Sequence, residues 1–265
     1  YQAKDAGRGV VRYFSSELQS EQEDRVRLEA DIRAAIETRQ FHLAFQPLVN
    51  AKTQKLVGFE ALIRWNHPKR GFVPPNVFIP IAEECGLMGP LGEFVIDEAC
   101  RAAVALNISP KQVILPNLPN VVSQALSRYR LPANRLELEV TEGVFLDDNN
   151  RTLDILARLR SLGVGIALDD FGTGYSSIGY LNKAVFHKLK IDGSFVREAG
   201  TRPGNVAIIQ SIVQLAKSFR MSVTAEGVET AEDFERMREL GCDTIQGYLF
   251  GKPLSYERAN QMVLG

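Results

Sequence analysis

The chain is poor in the side chains that build thiolate, histidine-rich or disulfide-bonded sites. Among its 265 residues there are three cysteines and three histidines. Cys85, Cys100 and Cys242 are odd in number and show no Cys-x-x-Cys spacing, which argues against a disulfide framework or a thiolate zinc site and for buried structural thiols in a reducing compartment. His42, His67 and His187 form no His-x-x-x-His pair, so a histidine-rich zinc centre is not expected either. Charge of one sign is also lacking: 31 Lys and Arg stand against 32 Asp and Glu, for a net charge of -1. Nothing therefore marks the whole surface for a nucleic-acid polymer or an anionic membrane. No apolar run approaches the roughly 18 residues of a membrane span, and no leader pattern opens the chain. A cytoplasmic location is expected, with any membrane tether lying upstream in a longer parent.

What the sequence does contain is alternation. Apolar, β-branched runs occur at 41–49, 55–63, 112–116, 136–141, 164–169, 186–191, 222–226 and 243–247. Helical patterns lie between most of them, at 77–85, 91–106, 121–129, 152–162, 205–219 and 231–240, and Gly163 and Gly241 mark two helix ends. Eight strands with intervening helices predict an α/β fold with a mostly parallel sheet closing into a barrel. The first two runs are joined only by Asn50 to Gln54, too short for a crossover helix, so that pair should be antiparallel. The expectation is a modified TIM (β/α)8 barrel with one antiparallel strand near the start, occupying residues 40–265. Before it, residues 15–39 predict a charged linker helix, either simply solvated or with a signalling or dimerising role. Residues 1–14 predict a helix end, a turn at Gly7 and Gly9, and a short strand.

In a parallel barrel the site lies at the C-terminal ends of the strands. Those ends deliver Glu60, Asn117, Glu139, Asp169 with Asp170, Lys190 with Asp192, Glu226 with Glu229, and Gln246. Each alone has an ordinary structural explanation, such as a solvated strand end. Together they crowd carboxylates around one mouth. Oxygen ligands without His or Cys suit hard cations such as Mg²⁺ or Mn²⁺, and bridging carboxylates are how two ions are held for phosphodiester hydrolysis. The pair Asp169-Asp170 ends an apolar strand, where alternation should aim one side chain to each face. The glycine-rich stretch from Gly172 to Ser177 is either a tight turn or a hinge able to reposition that pair.

Seven segments in order resemble the EAL family of cyclic di-GMP phosphodiesterases from about Phe41 to the C-terminus. They are Phe45-Gln46-Pro47, Glu60-Ala61-Leu62-Ile63-Arg64, Glu139-Val140-Thr141-Glu142, Asp169-Asp170-Phe171-Gly172-Thr173-Gly174, Lys190-Ile191-Asp192, Ala225-Glu226-Gly227-Val228-Glu229 and Gln246-Gly247-Tyr248-Leu249-Phe250. The resemblance implies metal-dependent hydrolysis of cyclic di-GMP to linear 5′-pGpG by a water activated between two Mg²⁺ or Mn²⁺ ions, with Ca²⁺ inhibiting. It implies Glu60, Asn117, Glu139 and Asp169 as ligands of one ion, and Asp169, Asp170 and Glu226 as ligands of the other. Lys190 and Glu229 would act on the attacking water, and Glu226 has been regarded in the family as a general base as well as a ligand. Arg64 would bind phosphate, and Gln46, Leu62, Asp192 and Gln246 would contact the substrate. Glu142, with Gly172 and Gly174, would couple the site to a homodimer.

This chain departs from the family pattern at the third motif, where Asn117-Leu118-Pro119 stands for the usual Asn-Leu-Ser; Asn120 is the alternative amide. Gly143 stands where Ser is frequent. Residues 1–9 resemble the closing helix and turn of a GGDEF domain, which implies a GGDEF–EAL tandem parent. The different-class alternative is a catalytically silent cyclic di-GMP receptor; silent members lose acids or the lysine, whereas here those residues are all present.

Overall fold

A computed structural model describes residues 16–102, 105–145, 149–172, 181 and 185–264. The expectations for residues 1–14 and for Gly174 lie outside the described residues. The strands are β1 (Phe41–Asn50), β2 (Leu56–His67), β3 (Gly71–Val73), β4 (Ala105–Asn107), β5 (Glu137–Thr141), β6 (Gly165–Phe171), β7 (Lys188–Ile191), β8 (Ser222–Ala225) and β9 (Thr244–Gln246). They are ordered β1-β9-β8-β7-β6-β5-β4-β2-β3, and a further β1–β2 pairing closes the ring. The result is an eight-stranded barrel with β3 appended outside β2.

β1 runs antiparallel to both of its neighbours, β2 and β9, while the rest of the ring is parallel. The cause is local. Asn50 Oδ1 accepts from the backbone N–H groups of Lys52 and Thr53 at 3.0 and 2.9 Å, and this side-chain turn reverses the chain before a helix can form. The hairpin places Gln46 opposite Glu60.

Helices cover the barrel where the sequence alternates apolar and polar at helical spacing. The helices Pro75–Glu84, Met88–Ala102, Leu118–Tyr129, Asn149–Ser161, Pro203–Ser218 and Ala231–Leu240 match the six expected segments to within a few residues. Thr230 caps the last of these by accepting from Asp233 N, and Gly241 ends it in the left-handed region at φ 91°. The charged segment at the start forms the helix Ser16–Glu37. It is not wholly solvated: Leu28, Ile32 and Ala35 are buried with Trp65, Phe78 and Leu91 in a core of their own beside the barrel. Among the described residues no helix is long and apolar enough to cross a membrane.

One expected strand is absent. The run at 112–116 is not β; the chain forms a short helix, Pro110–Val113. Pro110 follows Ser109 as a helix-starting residue, and Gln112 Oε1 accepts from Ser109 N at 2.9 Å, which favours a helical turn over extension. The strand that fills this place in the sheet is β4, upstream, pairing Asn107 with Glu139.

Candidate functional site

Side chains two apart on a strand share a face, and this rule builds the barrel interior. On β5 and β7 the inward pairs are Glu137 with Lys188 at one end and Glu139 with Lys190 at the other. Lys190 is 1% exposed. Its ammonium lies 2.6 Å from Glu139, 2.6 Å from Glu226, 3.2 Å from Asp169 and 3.7 Å from Glu60. Burial disfavours the charged lysine, but these four carboxylates outweigh it and hold its pKa well above the usual value.

One cation cannot neutralise so many acids. Burial, with the neighbouring carboxylates adding to it and Lys190 opposing it, drives Glu139 well up and Glu226 up to about 8. Asp170 is pushed up to about 6 by burial and then by Asp169 and Asp192. Buried acceptors are also left over: Glu139 Oε1 and Gln246 Oε1 have no hydrogen-bond partner among the described residues. Such orphaned oxygens in a folded core call for a missing donor or ion.

Asp169 and Asp170 do not point to opposite faces, as simple alternation would have it. The β6–β7 register slips between Leu168 and Phe171, and Asp170 adopts φ 54°. This bulge brings Asp169, Asp170 and Glu226 together, each offering a carboxylate oxygen within 4.8 Å of the others. A left-handed non-glycine residue costs on the order of 1 kcal/mol or more, and such strain concentrates at functional sites. The donor set is all oxygen, so it fits a hard divalent cation.

Glu60 is held from two sides. Its Oε1 accepts from Asn107 Nδ2, and its Oε2 accepts from Gln246 Nε2 at 2.5 Å. Gln246 also donates to Gln46 Oε1 at 3.2 Å. The amide beside Glu60 is therefore Asn107, not Asn117 as expected. Asn117 precedes the helix Leu118–Tyr129 without a side-chain capping bond, lies exposed, and lines a small separate cleft with Gln112 and Leu118; Asn120 Nδ2 reaches its Oδ1 at 3.4 Å. Asn120 is likewise exposed there.

A cleft of about 330 Å³ opens above this cluster, lined in part by Gln46, Glu60, Leu62, Asp169, Asp192, Glu226, Glu229 and Gln246. Asp192 caps the helix Gly193–Glu198, its Oδ1 accepting from Ser194 N at 2.9 Å. Arg64 stands outside that lining: half-buried, it turns its guanidinium back onto the Ile63 carbonyl at 2.9 Å, and burial lowers its pKa. Glu142 Oε1 accepts from Gly172 N at 3.2 Å, joining the end of β5 to the turn after Asp170. Gly172 takes φ 95°, which only glycine adopts readily.

Sequence reasoning missed Asn107, Arg197 and the wall made by Gly227 and Tyr248. For Asn107 the signal was present as Asn107-Ile108-Ser109, with the amide directly after Ala105-Leu106, but a three-residue strand is too short to show a period.

Comparison with known proteins adds to this geometry. The chain is 43% identical over 261 residues to an uncharacterized signaling protein of Caulobacter vibrioides, covering 96% of this chain and 32% of that one. It is 40% identical over 270 residues to MucR of Pseudomonas aeruginosa, a bifunctional diguanylate cyclase/cyclic di-GMP phosphodiesterase, covering 97% of this chain and 39% of that protein. It thus spans about a third to two-fifths of the length of these curated relatives. Among solved structures it resembles a MucR phosphodiesterase in complex with c-di-GMP at a TM-score of 0.84 and 40% identity, covering 88% of this chain and 99% of that one. The EAL domain family matches residues 29–253, and the chain belongs to that family.

Proposed function

We propose that this domain hydrolyses one phosphodiester bond of cyclic di-GMP to give linear 5′-pGpG. The observation that carries this reading is the surplus of inward carboxylates around Lys190, with Asp169, Asp170 and Glu226 gathered at the foot of an open cleft. The MucR relative, whose phosphodiesterase has been solved with c-di-GMP, supports the choice of substrate. In the reaction water adds to phosphorus, the P–O3′ bond breaks, and the proton lost by the water is balanced by one gained at the 3′ oxygen.

Glu60, Asn107, Glu139 and Asp169 would hold one Mg²⁺ or Mn²⁺, and Asp169, Asp170 and Glu226 a second. When bound, such ions lower the pKa of a water and offset charge on the phosphoryl oxygens. The chain's own residues do the rest. Lys190 keeps the carboxylates in register and places a positive charge where phosphoryl charge builds in the transition state. Gln246 orients Glu60 while linking it to Gln46. Glu229, exposed at the cleft, is placed to accept from water, and Leu62 and Asp192 receive the nucleotide. Arg64 reaches a phosphate only by leaving the Ile63 carbonyl. Ca²⁺, with its looser geometry, should occupy the site without supporting turnover. The parent is read as a cytoplasmic GGDEF–EAL tandem whose EAL part forms a homodimer, with Glu142 and Gly172 coupling the interface to the site. Sedimentation showing only monomer at working concentration would overturn the dimer.

The direct test is incubation with cyclic di-GMP and Mg²⁺, with and without EDTA, followed by chromatography. pGpG formed only without EDTA is expected. Tight binding with no pGpG under any metal would turn the reading to a receptor.

A further inference from the structure

The cleft above the acidic cluster is lined by Glu60, Asp169, Asp192, Glu226 and Glu229, and by one cation, Arg197. Lys190 is buried beneath and is not part of the lining. Despite the acids around it, Arg197 makes no ion pair or hydrogen bond with a described residue; other arginines of this chain, such as Arg202 and Arg236, are paired with acids four residues before them. Its guanidinium is uncommitted, and its place is set by backbone rather than by a charged partner.

Two glycines make that place. Arg197 lies one helical turn after Gly193, and a methyl on Gly193 would fall 2.8 Å from Arg197 Nη1. A methyl on Gly227 would fall 2.9 Å from the same nitrogen and 2.9 Å from Gly193 Cα. The β7 and β8 ends thus cross backbone to backbone at these two residues, and the guanidinium rests on the crossing. Gly227 has φ 65°, so its conformation as well as its size favours glycine. Beside this shelf Asp192 engages only its Oδ1, with the backbone and hydroxyl of Ser194, and leaves its second oxygen without a partner among the described residues.

An arginine fork and a carboxylate acceptor side by side are the complement of guanine. A guanidinium donates in bidentate fashion to guanine O6 and N7, whereas adenine presents an amino donor in place of O6. A carboxylate accepts from guanine N1–H and N2–H, and adenine lacks both of these donors. We propose that Arg197 is a specificity-determining residue that reads O6 and N7 of one guanine of the dinucleotide, next to Asp192 on the same base. This rests on the cyclic di-GMP reading above and deepens it: guanine is selected through the chain's one cleft-lining cation among the described residues.

The test is equilibrium binding in Ca²⁺, with chromatography confirming that the ligand stays intact. The ligands are cyclic di-GMP, its 7-deaza analogue, which lacks the N7 acceptors, and cyclic di-AMP. Wild type should bind cyclic di-GMP about tenfold tighter than the 7-deaza form, the scale of one hydrogen bond to a charged group. Arg197→Met should bind both guanine ligands equally, no tighter than wild type binds the 7-deaza form, and should lose part of the preference over cyclic di-AMP. Arg197 is exposed, so a thermal melt equal to wild type is expected of the variant. Arg197→Met binding cyclic di-GMP as tightly as wild type, or keeping the full penalty for 7-deaza, would overturn the assignment. Failure of wild type to bind cyclic di-GMP at all would overturn the functional reading itself, a different outcome.

Discussion

The two ends of the barrel hold nearly the same chemistry and put it to opposite uses. Glu137 and Glu139 are two apart on β5, and Lys188 and Lys190 are two apart on β7, so each pair faces the interior one layer from the other. At the lower end Glu137 receives Lys188 at 2.7 Å on one oxygen and His187 at 2.8 Å on the other. Two donors meet one acid, and both oxygens of Glu137 are satisfied. Burial alone would raise the pKa of Glu137, but the His187 hydrogen bond and the Lys188 charge outweigh it and hold it at about 2. At the upper end one ammonium meets four carboxylates, acceptors are left over, and Glu139 and Glu226 are pushed upward by burial. A satisfied cluster contributes to stability; an over-acidic one waits for further positive charge. Position along the strand decides which is which, because the upper layer lies at the C-terminal rim where the cleft opens.

The largest expected effect breaks the comparison at its upper end. Lys190→Met should lower turnover of cyclic di-GMP by about 10²- to 10³-fold or more, the scale of losing one electrostatic stabiliser, measured by steady-state kinetics at saturating Mg²⁺. Lower-end substitution should do the reverse. Glu137→Gln should keep turnover close to wild type yet cost about 2 kcal/mol of stability in urea unfolding, because Lys188 loses its counter-charge and His187 its carboxylate acceptor. Acid should sharpen that contrast. Glu137 has a depressed folded-state pKa, so its stabilisation is present above the unfolded value of about 4.3 and is lost as pH falls through about 2. The stability gap between wild type and Glu137→Gln should therefore be constant near neutrality and close between about pH 4 and pH 2. Within the upper end, Asn107→Ala should weaken Mn²⁺ binding about tenfold or more, as losing a group that supports a metal site does, while Asn117→Ala should leave calorimetric Mn²⁺ affinity unchanged. The smallest effect belongs to Gly172→Ala, expected to cost about 1 kcal/mol because a methyl at φ 95° is strained and would press on Phe195 at 3.3 Å.

Much of this contrast was legible in the sequence. Lys190 and the acids of the upper rim stand at the ends of β-branched runs, and the short Asn50–Gln54 link announced the antiparallel start. The rest depended on local details that periodicity does not carry. Val113 and Ile114 look like strand residues, yet Pro110 and Gln112 fold that stretch into a helical turn, and so Asn117 was placed on the rim in error. β4 is only three residues long, too short to alternate visibly, so Asn107 went unnoticed. Alternation also misplaces Asp170, because the bulge at Asp169-Asp170 turns both carboxylates toward Glu226. The lower cluster had no sequence signal at all: Glu137, His187 and Lys188 become partners only when the ring is closed.

On the proposed reading, surplus negative charge at the upper end forms a divalent-cation site while the lower end forms none. Calorimetric titration of Mn²⁺ into wild type, Asp169→Asn and Glu137→Gln tests it most directly. Wild type and Glu137→Gln should bind Mn²⁺ alike, and Asp169→Asn should lose most of that binding. Equal Mn²⁺ binding by Asp169→Asn and wild type, or loss of binding in Glu137→Gln alone, would contradict the account.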